Sequence, residues 1–142
     1  MKIEIYTDGG AIGNPGQAAI GVIIKIAKSQ DCKIKKYSQA IGEATNNQAE
    51  YKAALFALKK VKQLLGAKIQ AAQITLHTDS ELIGNQLLGN YKIKELELQN
   101  LFVEIWNLRL DLPPFEIKII PREKNQEADK LVKAILFKKE LF

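Results

Sequence analysis

Four acidic side chains, Asp8, Glu50, Asp79 and Asp129, stand where they could do chemistry. Asp8 follows the alternating run Ile3, Ile5, Thr7, and Asp79 follows Ile74–Thr78 (ITLHT), so both are expected at strand ends. In open α/β sheets ligands bind outside the carboxyl ends of parallel strands, and a β-α-β crossover would set Asp8 and Asp79 side by side there. Glu50 and Asp129 border apolar stripes of helical period, Ala54/Leu58/Val61/Leu65 and Ala128/Leu131/Val132/Ile135/Leu136, and helices packed on the sheet would add them to the same place. Carboxylates ~3 to 5 Å apart repel, so such a cluster needs protons or hard cations with oxygen ligands, Mg²⁺ above all. Two such ions roughly 3.5 to 4 Å apart support in-line displacement at phosphorus, which is phosphodiester hydrolysis.

Each acid also has a plainer use. Asp8 fits a turn former ahead of Gly9-Gly10, and Asp79 fits a cap for the helix that follows. Glu50 suits the dipole at a helix N-terminus, and Asp129 can pair with Lys133 one turn on. Residue types and spacing leave both sets of roles open.

The elements that must position these acids follow from periodicity. Strand one is expected to stop at Gly9-Gly10, with a turn at Gly13-Asn14-Pro15-Gly16. Residues 18–27 and 33–41 are β-rich, so three strands form an antiparallel meander. Thr45-Asn46-Asn47-Gln48 has the form of a capping box opening a helix that ends near Gly66. Strand four is followed by a weak helix to about Leu88. A helix through Leu98, Leu101, Phe102, Ile105 and Leu108 is closed by Pro113-Pro114, then come a strand over Phe115–Ile120 and a last helix from about Gln126. The order β-β-β-α-β-α-α-β-α demands a mixed five-stranded sheet, because strands joined through a helix run parallel.

At 142 residues, 46% hydrophobic and 26% charged, the chain suits a single globular domain over residues 1–142. One cysteine, Cys32, gives neither an internal disulfide nor a zinc or redox pair, which fits a reducing cytoplasm. The reading includes no signal peptide and no membrane span. A net charge of +5 favours encounter with a polyanion, although spread lysines also fit solvated helix faces.

Taken together, Tyr6-Thr7-Asp8-Gly9-Gly10, Gly13-Asn14-Pro15-Gly16, Thr45-Asn46-Asn47-Gln48-Ala49-Glu50, Thr78-Asp79-Ser80 and Asn125-Gln126-Glu127-Ala128-Asp129 resemble the type I ribonuclease H family over nearly the whole chain. The resemblance implies an α/β ribonuclease H-like fold, the first three strands antiparallel and helices on both faces. It implies an endonuclease that cuts the RNA strand of RNA/DNA hybrids, such as those of replication and transcription, leaving 5′-phosphate and 3′-hydroxyl ends. Asp8, Glu50, Asp79 and Asp129 match the acids that hold two Mg²⁺ or Mn²⁺ ions: Asp8 bridging, Glu50 and Asp79 on one ion, Asp129 on the other. Asn14, Asn46 and Asn47 match minor-groove contacts to RNA 2′-hydroxyls, the group that distinguishes RNA from DNA. Thr45 and Asn47 match a pocket for a DNA phosphate. The implied partner is the hybrid itself, with a monomeric enzyme and no obligatory protein partner.

Three departures stand out. Where many members carry a loop histidine before the last acid, this chain has Pro121-Arg122-Glu123-Lys124, so Glu123 or a water on the metal is expected to take over; the lone His77 falls within a strand and reads as structural. Glu81 replaces a glutamine common in the family, and the basic protrusion of some bacterial members is missing, with only Tyr91-Lys92-Ile93-Lys94 ahead of the next helix. Arg122 and Lys124 are candidate phosphate contacts, whereas Phe102 and Trp106 read as core rather than stacking platforms. The rivals are a non-catalytic hybrid-binding module and another two-metal nuclease on the same fold.

Overall fold

The strand meander, the two crossovers and the four helices are all present in a computed structural model, which describes residues 1–138. Strands β1 (Lys2–Gly13), β2 (Gly16–Lys28) and β3 (Asp31–Ala44) pair antiparallel. Strands β4 (Gln73–Thr78) and β5 (Phe115–Ile119) run parallel to β1 in one sheet of order β3-β2-β1-β4-β5. Helices α1 (Asn46–Leu65), α2 (Glu81–Leu87), α3 (Leu96–Arg109) and α4 (Gln126–Leu136) complete the fold, with short 3₁₀ segments at Gly66–Ala71 and Arg122–Lys124.

Helix α1 packs on one face of β1 and β2, where Ile3, Ile5, Val22 and Ile24 meet Leu58 and Val61; α4 lies across β1, β2 and β3. Cover on both faces explains why Ala18–Ile24 of β2 are buried without alternation. The capping box opens α1 as expected, with Thr45 Oγ1 accepting from the Gln48 N–H and Gln48 Oε1 accepting from the Thr45 N–H. At the other end Gly66 takes a positive φ of 53°, and the chain continues into a 3₁₀ segment that the sequence did not announce and that buries Ile69.

Two expectations are corrected. Gly9-Gly10 do not stop β1, which stays paired with β2 as far as Gly13. A Cβ on Gly9 would lie 2.3 Å from the Ala49 carbonyl carbon, so this glycine admits the backbone of α1 rather than turning the chain. Trp106 is not core: it is 48% exposed, because α3 buries only Leu98 and Ile105, and it stacks on Phe102 beneath Arg109. His77 is structural, as read: it is buried, stacks on Tyr6, and its Nδ1 lies 2.9 Å from the Ile5 carbonyl oxygen.

Candidate active site

The parallel β1–β4 pairing ends at Thr7 and Thr78, so the next residues, Asp8 and Asp79, stand side by side where it stops: Asp79 just past the end of β4, Asp8 within β1, which runs on beside β2, rather than at the strand end expected of it. Glu50 reaches them from α1 because Gly9 lets Ala49 and Glu50 sit against the strand backbone. On the opposite face Gly21 does the same for α4, since a Cβ there would lie 2.4 Å from the Ala128 carbonyl oxygen. The next residue, Asp129, is thereby brought to the same cleft, which Asn46, Asn47, Arg122 and Lys133 also line.

Ligand oxygens of Asp8, Glu50 and Asp79 all lie within 4.8 Å of one another. Burial raises the Asp8 pKa to about 7, a hydrogen bond from Glu50 opposes the rise, and the charges of Asp79 and Asp129 add to it. Glu50 is pushed well above the usual carboxylate range, first by burial and then by Asp8. Its Oε2 is buried without a protein partner. A cluster of this kind is neutral only with protons or cations in it, and an unpartnered buried oxygen among three converging carboxylates fits a hard cation.

The plainer roles can now be judged acid by acid. No turn follows Asp8. Ser80, not Asp79, caps α2, its hydroxyl accepting from the Ile83 N–H at 3.1 Å. Glu50 lies beyond the first turn of α1. Asp129 does pair with Lys133, at 2.9 Å, while lining the cleft.

The four candidate substrate residues are stitched together at one rim. Asn14 Oδ1 accepts from the Asn46 N–H at 3.0 Å, and Asn46 Oδ1 accepts from the Ala11 N–H at 2.9 Å. The β1–β2 turn thus gives its Asn14 oxygen to the α1 N-terminus, α1 gives its Asn46 oxygen to β1, and both amides keep Nδ2 as a donor. Thr45 is occupied in capping and Asn47 lines the cleft. Glu123 lines a separate depression beside Tyr6 and Lys25, whereas Arg122 lines the acidic cleft, so the residue of that loop facing the acids is the arginine. Glu81 is exposed in the first turn of α2.

Residues 6–135 match a family model described as reverse transcriptase-like. The structure superposes on LC11-RNase H1, isolated from compost by a metagenomic approach, with a TM-score of 0.87, 43% identity and 96% of each chain covered. The chain belongs to the type 1 ribonuclease H family. RNase H1 of Halobacterium salinarum is a further ribonuclease H neighbour, at a TM-score of 0.84 and 33% identity over 98% of this chain and all of that one. LC11-RNase H1 has also been solved in complex with an RNA/DNA hybrid, and that structure is 42% identical. A bifunctional protein of Mycobacterium tuberculosis is 34% identical over 131 residues, 92% of this chain. The chain spans about a third of the length of the mycobacterial relatives it matches.

One residue of the site stood in the sequence only as part of a motif, with no role of its own. Asn125 opens α4, where asparagine reads as a helix cap, yet its side chain caps nothing and points to the acids instead. Its sequence signal was its place at the head of the Asn125-Gln126-Glu127-Ala128-Asp129 motif, four residues before Asp129.

Proposed function

We propose that the chain is an endoribonuclease that hydrolyses the RNA strand of RNA/DNA hybrids, leaving 5′-phosphate and 3′-hydroxyl ends. The observation that carries this reading is the convergence of Asp8, Glu50 and Asp79 beside a rim of asparagine donors. Two Mg²⁺ or Mn²⁺ ions held by Asp8, Glu50, Asp79 and Asp129 would supply charge neutralisation and activation for displacement at phosphorus. Asp8 and Glu50 hold a proton between them at neutral pH and release it to make room for that charge. Asn14 and Asn46, with Nδ2 donors left over, and Asn47 meet 2′-hydroxyls in the minor groove, and Thr45 with Asn47 receives a phosphate of the DNA strand at the α1 N-terminus. In this reading residues 1–142 act as one monomeric domain in the cytoplasm, without an obligatory protein partner.

Cleavage of a labelled hybrid, compared with double-stranded RNA, single-stranded RNA and double-stranded DNA in Mg²⁺ or Mn²⁺, tests the proposal. The wild type is expected to cut the RNA of the hybrid, and Asp8→Asn to lose at least about 10³-fold in kcat while keeping its affinity for hybrid. If the wild type bound hybrid but cut none of the substrates with either ion, a non-catalytic binding module would be the better description.

A further inference from the structure

Acids that repel one another have to be held together before any cation arrives, and the chain has one side chain placed to do this. Asn125 is 1% exposed. Its Nδ2 donates to the Thr7 carbonyl oxygen at 2.8 Å and to Asp79 Oδ2 at 3.1 Å. Its own carbonyl accepts from the Asp129 N–H at 3.1 Å. The side chain therefore ties the peptide preceding Asp8 to the carboxylate of Asp79, while the backbone bond to Asp129 is the first of α4 itself.

The orientation of the amide is fixed, since a flipped side chain would set its oxygen against two acceptors. That orientation leaves Oδ1 buried with no partner, a cost that a leucine of nearly the same shape would avoid. An amide suits Asp79 for a second reason. A lysine, such as the one paired with Asp129, would bring a positive charge to compete with a cation, whereas an uncharged N–H orients Asp79 without adding one.

We propose that Asn125 is a positioning residue of the cation site, fixing Asp79 against the Thr7 carbonyl of β1 so that Asp8 and Asp79 stand at ligand spacing in the empty protein. The inference rests on the reading of these acids as a cation site. Its test is Mn²⁺ binding by calorimetry, without nucleic acid, to the wild type, Asn125→Leu and Asn125→Asp. Circular dichroism and thermal melts are recorded on each protein. Leucine removes the donor while filling the same space, and aspartate keeps the shape but replaces the donor with an acceptor. Folded variants are expected to bind Mn²⁺ about tenfold more weakly and to need correspondingly more Mn²⁺ for half-maximal cleavage, with KM for hybrid within twofold. Mn²⁺ affinity within threefold of the wild type in a folded variant would overturn the proposal. So would loss of the folded spectrum in both, which would assign Asn125 to the fold alone. A wild type that binds no Mn²⁺ would instead defeat the reading of the site itself.

Discussion

At the scale of single residues, the Asp8–Glu50 pair makes the metal-free protein sensitive to pH in an unusual direction. Asp8 titrates near 7 instead of 3.8, and Glu50 lies above its ordinary 4.5. Between about pH 4 and 7 the native state therefore holds protons that the unfolded chain has already released, and stability falls as pH rises through that window. In chelator, the Tm is expected to drop by at least about 3 °C between pH 5 and 7.5, since ~1 kcal/mol moves the Tm of a domain this size by roughly that much. Asp8→Asn should flatten the slope, and Mg²⁺ should raise the Tm more at pH 7.5 than at pH 5. A Tm that climbed with pH in chelator would contradict the assigned burial of these acids. The acids themselves were legible in the sequence through the motif series that carries them, since spacing alone left each with a plainer use, and the strand end expected at Asp8 is the point where β1 parts from β4. Their electrostatics were not, because burial at Glu50 depends on how closely α1 approaches the sheet.

At the scale of elements, the approach of helix to sheet is set by glycine. An alanine at Gly9 would drive its Cβ to 2.3 Å from the Ala49 carbonyl carbon, and backbone cannot step aside as a rotamer can. Gly9→Ala is expected to destabilise the fold by about 3 kcal/mol, at the upper end for overpacking, and to weaken Mn²⁺ binding by moving Glu50. Gly42→Ala is the control: nothing lies within 4 Å, φ is +76°, and only backbone strain of about 1 kcal/mol is at stake. Denaturant unfolding and Mn²⁺ calorimetry on the two variants check this; equal effects on metal affinity would refute the positioning role. The elements were largely legible: the capping box of α1, the end of α1 at Gly66 and the start of α4 lie where local patterns put them. Gly9-Gly10 misled because a glycine that ends a strand and one that admits a neighbouring backbone look alike in sequence. Trp106 misled because period alone does not say how wide a face α3 buries.

At the scale of the whole molecule, the net charge of +5 is unevenly spread: residues 81–117 carry three Lys and Arg against six Asp and Glu, leaving the excess of positive charge to the rest. Lys25, Lys28, Lys33, Lys35 and Lys36 on the β2–β3 hairpin, with Lys52, Lys59, Lys60 and Lys62 on α1, supply much of it. Hybrid affinity measured with Asp8→Asn is expected to fall with salt at a log–log slope of about −4, as when four or five counterions are released. A flat salt dependence would show that the lysines do not take the place of the absent protrusion. The mixed sheet was legible from element order, since crossover rules leave few arrangements. That same strand order, β3-β2-β1-β4-β5, has a consequence for how the protein comes into being. Asp79 follows Asp8 by 71 residues in the chain, so β1 has to wait for its parallel neighbour β4, and the helix bearing Asp129 is the last of the described elements. A chain truncated before α4 would keep Asp8, Glu50 and Asp79 but lack Asp129, so the set of four acids is shared out over almost the whole described length and no shorter fragment of this fold can carry it.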